Sequence, residues 1–159
     1  MERDVLERIE ALEQRVRALE DELAVTRLVT QYGPAADTGN AAAAAALWVE
    51  DGVYDAEGPG RLEGRAAIEG MLMGAGHQSL VPGCAHTNGP SVVRIDGDTA
   101  VAVGYSRVYT TDAGEHRLWR VAANRWELAR TADGWRAVTR VNRRLGSEES
   151  LAVLGGAVD

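Results

Sequence analysis

The sequence predicts an α+β protein in which helices come first and a strongly curved sheet follows. Apolar residues recur at helical spacing through the first thirty positions, and the alanine run 41–46 is a strong helix former. After residue 84 the pattern changes to long segments of strand type, separated by turn residues. Helical segments followed by consecutive strands are typical of the α+β class, and we expect the helices to fill the concave face of the sheet.

The first predicted element is a helix that begins with a heptad repeat. Arg8 and Arg15 occupy g positions, and Glu13 and Glu20 occupy the following e positions, so opposite charges would pair across two parallel helices. We therefore predict an oligomerisation arm over residues 1–24. The alternative is one amphipathic helix folded back on its own domain. The apolar seam consists of Val5, Ile9, Leu12, Val16, Leu19 and Leu23.

Two further helices and a short strand are predicted before residue 84. The first helix continues to Tyr32, where Gly33-Pro34 predicts a kink or a new start. Asn40 is placed to cap a second helix over Ala41–Trp48. A short strand at residues 53–55 and a third helix over residues 64–74 follow.

The rest of the domain is predicted to be a four-strand meander. Each junction carries hairpin residues, such as Asp96-Gly97-Asp98. Residues 25–146 then form one domain, and residues 147–159 form a C-terminal tail. The predicted strands cover residues 84–95, 99–111, 115–130 and 134–145.

The composition excludes several kinds of function. The 159 residues include 17 arginines and no lysine, which removes Schiff-base and phosphate-loop lysine chemistry. A net charge of −7 argues against a nucleic-acid partner. The chain has neither a membrane-spanning apolar run nor a signal peptide, so we expect a cytoplasmic protein without a membrane partner. The single Cys84 excludes an intrachain disulfide and a multi-cysteine metal site.

Three titratable residues are candidates for chemistry: Tyr32, Asp37 and His86. A buried Asp bonded to one ring nitrogen of a His fixes the tautomer and leaves the other nitrogen free as a base near neutral pH. Tyr32 could donate its hydroxyl to a substrate carbonyl. Two of these residues also have a structural alternative, since a single His in a strand is often a satisfied core residue and Asp37 could cap the next helix.

Several motifs, taken in order, point to a known family. The chain resembles the SnoaL-like branch of the nuclear transport factor 2-like superfamily, which includes dehydratases and a dehydrochlorinase, over roughly residues 20–146. The resemblance implies a cone-shaped α+β barrel, in which a curved mixed sheet surrounds a pocket closed by three helices. It rests on Leu-x4-Leu-x3-Tyr-x4-Asp ending at Asp37, Ala46-Leu-Trp-x2-Asp-Gly-x-Tyr54, Gly64-Arg-x2-Ile68, His86 ahead of a Val-rich strand, and Trp126-Glu-Leu with Asp133-Gly-Trp135.

The resemblance also assigns expected roles to residues. It implies that Asp37 and His86 form a catalytic dyad assisted by Tyr32. An arginine of the last strand corresponds best to Arg143, although its neighbour Arg144 could face the pocket instead. A second pocket histidine has no clear match: we expect His116 to be solvated and His77 either to cover the pocket mouth or to be exposed.

Together these expectations favour a cofactor-independent lyase that catalyses a dehydratase-type elimination. The expected substrate is a hydrophobic small molecule containing a ring, and neither a metal nor an organic cofactor is predicted. The alternatives are an isomerase or cyclase, and a non-catalytic binding module. We also expect a homo-oligomer, for which the resemblance implies a trimer and the heptad seam favours a dimer. The predicted pocket walls are Trp48, Tyr54, Tyr105, Trp119 and Trp126, with Trp126 and Trp135 more typical of the core.

Overall fold

The computed structural model describes residues 2–157 and, for side chains, residues 3–157. Met1, Val158 and Asp159, which belong to the predicted arm and tail, lie outside the described residues. The helices are α1 Glu2–Asp37, α2 Ala41–Ala45, α3 Arg65–Met73, α4 Ala75–Gln78 and α5 Glu148–Gly155. The strands are β1 Trp48–Ala56, β2 Gly60–Glu63, β3 Cys84–Asp96, β4 Thr99–Asp112, β5 Glu115–Thr131 and β6 Gly134–Arg144.

The six strands form one open sheet in the order β2-β1-β6-β5-β4-β3. All neighbours are antiparallel except β1 and β6, which run parallel, so the predicted mixed sheet is confirmed. Strands β3 to β6 form the predicted meander, and Gly97, Gly114 and Gly134 take positive φ angles at its turns. Register shifts interrupt four of the five pairings, and such bulges increase the bend of a sheet.

The core lies between the concave face of this sheet and the first three helices. The C-terminal half of α1 contributes one buried stripe, and Trp48 and Trp126 are the largest side chains that are almost wholly buried. Trp126 and Trp135 therefore pack in the core, as their sequence context indicated. The buried stripe of α1 consists of Val25, Leu28, Val29, Tyr32 and Ala36.

Helix α1 runs without interruption through Gly33-Pro34, so the predicted restart at this point is wrong. A proline inside a helix removes the donor for the carbonyl four residues earlier. Here that carbonyl belongs to Thr30, an exposed residue, where water can replace the missing N–H. The helix continues to Asp37, which places this carboxylate on the last turn.

Other element boundaries also differ from the prediction. Helix α2 ends at Ala45 instead of Trp48, because Trp48 pairs with Ala137 of β6 and its indole N–H donates to the Val53 carbonyl at 3.1 Å. Strand β2 and helix α4 were not predicted. The C-terminal segment is not only a tail, since it contains α5, whose first turn Ser147 caps through a bond from the Ser150 N–H at 3.1 Å.

Within the described chain, no helix has the length and apolar character needed to span a bilayer.

Candidate active site

The concave side of the sheet encloses a cavity of about 300 Å³ beside α1, α3 and α4. Its wall includes Tyr32 from α1, His86 from β3 and Arg140 from β6. Met71, Leu80 and Val108 add apolar surface. The cavity therefore combines apolar surface with several ionisable groups, an arrangement suited to a small organic molecule that carries polar groups.

Asp37 and His86 meet at the cavity wall. The Nδ1 atom of His86 lies 2.5 Å from Oδ1 of Asp37, and the His86 backbone N–H donates to Oδ2 at 2.7 Å. Alternation along β3 turns Cys84, His86 and Asn88 toward the helices. Because Nδ1 is engaged by the carboxylate, Nε2 is the ring atom available to a molecule in the cavity.

The Asp37 carboxylate is stabilised in its charged form. Burial alone would raise its pKa, but hydrogen bonds from the His86 side chain, the His86 backbone and the Cys84 thiol outweigh burial and hold the pKa below its ordinary value. These donors also offset the unfavourable position of an anion at the C-terminal end of α1. The dyad is therefore an ionised carboxylate that orients an imidazole.

Arg140 lies beneath the cavity, with only 2% of its surface exposed. Its guanidinium carbon lies 4.2 Å from the ring centre of Tyr32, 4.6 Å from that of Tyr54 and 4.3 Å from that of Trp126. Such cation–π contacts partly replace the solvation that burial removes. Nε donates to Asn124 at 2.9 Å and Nη2 to Asn88 at 3.3 Å.

Several buried polar atoms around this group lack protein partners. Among the described residues these are Nη1 of Arg140, Nδ2 of Asn88, Nε of Arg120, Nδ2 of Asn124 and Nε1 of Trp126. Arg140, Asn88 and Arg120 line the cavity, and Arg140 forms no ion pair with a described carboxylate. Buried donors without partners are costly, so this wall is suited to a ligand that supplies acceptor atoms.

The match to known proteins identifies the family. The model of the SnoaL-like domain matches residues 17–141. The chain belongs to the SnoaL-like family. No protein of curated function matches it.

Three solved structures share the SnoaL-like chain's fold. A nuclear transport factor 2-like protein of Novosphingobium aromaticivorans is 46% identical, with a TM-score of 0.87, over 90% of this chain and 94% of its own. A Mycobacterium tuberculosis protein of unknown function is 20% identical, with a TM-score of 0.72, covering 88% and 93% of the two chains. Aln2 of a Streptomyces species is 23% identical, with a TM-score of 0.71, covering 84% and 94%. The last two support the fold alone.

Of the predicted wall residues of this SnoaL-like domain, some line the cavity and others do not. Tyr54 and Trp119 line the cavity, although Trp119 is 53% exposed and lies at the mouth. Trp48 does not line it, because its indole packs entirely within the core. Tyr105 also lies elsewhere: its ring is 41% exposed and stacks beside Arg107 at 5.8 Å.

Arg143 and Arg144 take opposite sides of β6. Arg143 points away from the cavity and binds Asp55 at 2.9 Å and Glu149 at 2.6 Å, so its predicted place at the substrate is wrong. Hydrogen bonding to Asp55 raises the pKa of Arg143 and fixes it as a structural cation. Arg144 lines the cavity.

The other two histidines, His77 and His116, lie in different environments. His77 lines the cavity, and its ring centre lies 5.6 Å from that of His86. Its Nε2 is 3.0 Å from the carbonyl oxygen of Ala36. His116 is exposed at the β4–β5 turn, as expected, and contacts Thr111 at 3.0 Å.

Sequence reasoning missed Arg140 and its amide partners. The signal was present, because strand alternation places Arg140, Asn142 and Arg144 on one face of β6 and Arg143 on the other. Asn142 extends the polar group by donating to Ser106 at 3.1 Å and accepting from Arg120 at 2.5 Å.

Asp37, Cys84 and His86 are the described residues whose ligand atoms cluster closely enough to hold a metal ion, all within 4.8 Å. In the absence of a metal these three residues form a hydrogen-bonded cluster. Burial and the hydrogen bond to Asp37 raise the pKa of the Cys84 thiol to about 11, so this group stays a neutral thiol that donates to the carboxylate. Both Asp37 oxygens already accept hydrogen bonds.

Proposed function

We propose that this SnoaL-like protein is a cofactor-independent lyase that eliminates water, or a similar leaving group, from a hydrophobic ring-containing molecule. The observation that carries the proposal is the Asp37–His86 pair, whose histidine lines the cavity. An imidazole whose Nδ1 is bound to a carboxylate presents Nε2 as a general base.

The first step is proton removal from carbon. Nε2 of His86 takes a proton from a carbon next to a substrate carbonyl, and the electron pair of the C–H bond moves toward the carbonyl oxygen. Asp37 stabilises the imidazolium that forms, through its bond to Nδ1. The developing enolate is negatively charged and therefore requires donors that are already in place.

Tyr32 and Arg140 are the proposed donors to that enolate. Burial raises the pKa of the Tyr32 hydroxyl, so this group keeps its proton and can donate. Arg140 offers an unpartnered N–H from beneath the cavity. Collapse of the enolate expels the β-leaving group, which takes the proton from His86 and departs as water when it is hydroxide.

The shape and charge of the cavity indicate the substrate class. About 300 Å³ accommodates a compact ring system, and Tyr54 and Trp119 provide aromatic contact. Four lining residues are arginines and one is a glutamate, so the field favours anionic intermediates and substrates that carry an acidic group. These arginines are Arg107, Arg120, Arg140 and Arg144.

The test is a panel of cyclic β-hydroxy-carbonyl compounds assayed with the wild type, His86→Ala and His116→Ala. We expect kcat to fall roughly 10²–10⁴-fold in His86→Ala, which removes the base. His116→Ala is the matched control, because this histidine is exposed and does not line the cavity, and it should keep wild-type turnover. Equal turnover by all three proteins would reject the mechanism.

An isomerase or cyclase using the same base is the second candidate function. The enolate donors favour it equally, because both reactions pass through the same anion. Product analysis separates the two: elimination yields a product that has lost water, whereas isomerisation leaves the mass unchanged. Saturable binding without product of either kind would indicate a binding module.

A further inference from the structure

The N-terminal part of α1 is an apolar surface without a partner in the described chain. Every side chain from residue 3 to residue 20 is exposed. The six seam residues, Val5, Ile9, Leu12, Val16, Leu19 and Leu23, are 46–66% exposed. This segment is about 30 Å long, and a helix of such length is marginal in water without tertiary packing. An exposed apolar stripe on such a segment indicates an interaction site.

We infer that this stripe pairs with the same stripe of a second copy of the chain, in a parallel two-stranded coiled coil. Three observations support this occupant over a fold-back onto the same domain: the position of the stripe on the helix, the arrangement of the charges, and the residues at the seam positions.

The stripe lies on the opposite side of α1 from the domain. At about 100° per residue, the seam ending at Leu23 lies roughly 180° from the buried stripe that includes Val25 and Tyr32. Because α1 is continuous, the arm cannot turn its seam toward its own sheet. The same geometry keeps the domain clear of the seam, so a second helix can approach without collision.

The charges beside the seam select a parallel arrangement. In a parallel pair, g of one helix faces the following e of the other, which joins Arg8 to Glu13 and Arg15 to Glu20 in both directions. In an antiparallel pair, g faces g and e faces e. With the seam fully overlapped, Arg8 would meet Glu22, but Arg15 would meet Arg15 and Glu13 would meet Glu13, so the parallel pair has more favourable contacts. Glu13 also lies 3.9 Å from Arg17 of its own helix, which does not change this choice.

The seam residues indicate the number of strands and the end of the coil. Ile9 and Val16 are β-branched a residues and Leu12 and Leu19 are leucines at d, the combination that favours two helices. The next d and a positions are the exposed Thr26 and Thr30, so the apolar seam stops where the domain begins.

The first test is disulfide formation between full-length chains in a glutathione redox buffer. Val5→Cys places a thiol at a d position near the end of the seam, where only a parallel in-register pair brings two such thiols together. Ala11→Cys is the matched control at an outward c position. Both variants retain the buried Cys84. We expect covalent dimers of Val5→Cys at least several-fold above the control; equal yields would overturn the inference.

The second test reverses charge in the Val5→Cys background. Arg8→Glu with Arg15→Glu makes all four flanking positions acidic, and Glu13→Arg with Glu20→Arg makes them basic. We expect each protein alone to lose covalent dimer and the mixture to regain it as a heterodimer. Unchanged dimer in the separate proteins, or no recovery on mixing, would overturn the charge argument. Neither pair of substitutions touches the cavity, so failure here is separate from failure of the proposed activity.

Discussion

Asp37 combines a proposed catalytic role with a structural one. Its two oxygens accept from the His86 ring, the His86 backbone and the Cys84 thiol, and they hold the start of β3 against the end of α1. A carboxylate with several donors contributes stability only while it is charged. The titration of the Asp37 carboxylate should therefore contribute to the pH dependence of the free energy of unfolding.

We expect the stability advantage of wild type over Asp37→Asn to shrink as the pH falls. The pKa of Asp37 in the folded protein is below its ordinary value of 3.8. Its stabilisation is therefore complete well above 3.8 and is lost as the pH falls through the lower folded value. Urea unfolding of both proteins at neutral pH and near pH 3 measures this difference. An advantage that stays constant or grows on acidification would contradict the prediction.

Substitution of Arg140 should affect mainly turnover, whereas substitution of Arg143 should affect mainly stability. We expect Arg140→Met to lower turnover by about 10²–10³-fold, because it removes an enolate donor, while the free energy of unfolding changes little. Arg143→Met should keep turnover and lose about 1 kcal/mol of stability, because it breaks bonds to Asp55 and Glu149. Steady-state kinetics and urea unfolding of both variants check the pair. The reverse pattern would place the substrate on the other face of β6.

At the scale of elements, the dyad depends on how closely α1 approaches β3. A β-carbon at Gly33 would overlap the carbonyl oxygen of His86, so only glycine allows this contact. We expect Gly33→Ala to destabilise the fold by about 1–3 kcal/mol and to weaken turnover by moving His86 away from Asp37. Gly70→Ala in α3 is the control. Its β-carbon meets open space, and helix propensity predicts a gain of up to about 1 kcal/mol. Equal effects of the two substitutions would contradict this account.

The elements whose bounds the sequence predicted well are those that neighbouring residues along the chain determine. Strands β3 to β6 alternate and end in glycine turns, so their bounds differ by at most one residue from the prediction. Trp48 was placed on a helix because the alanine run favours one, but pairing with β6 overrides that propensity. The dyad was found because both residues lie in recognisable motifs. Arg140 was missed because its importance depends on three aromatic rings from separate elements, which sequence spacing does not reveal.

At the scale of the whole molecule, the arm and the domain should be separable. Asp21 is the first residue of α1 that binds the sheet, through Arg130 at 2.7 Å and Trp135 at 3.0 Å. We expect deletion of residues 1–20, which keeps this contact, to lower the number of chains per particle in solution while the thermal midpoint and turnover stay near wild type. Analytical ultracentrifugation and thermal unfolding test this. An unchanged number of chains, or loss of the domain's folded state, would contradict it.

Because α1 is uninterrupted, it also fixes the angle about the helix axis between the apolar seam and the buried stripe. The seam stops at Leu23 and the buried stripe starts at Val25, so Ala24 alone separates two surfaces that face opposite ways. Two residues inserted at that point would turn the seam by about 200° and direct the second helix into its own domain. Seven would restore the original direction to within about 20°. In the proposed dimer, the angle between the two cavities is thus set by the number of helical residues between the seam and the buried stripe.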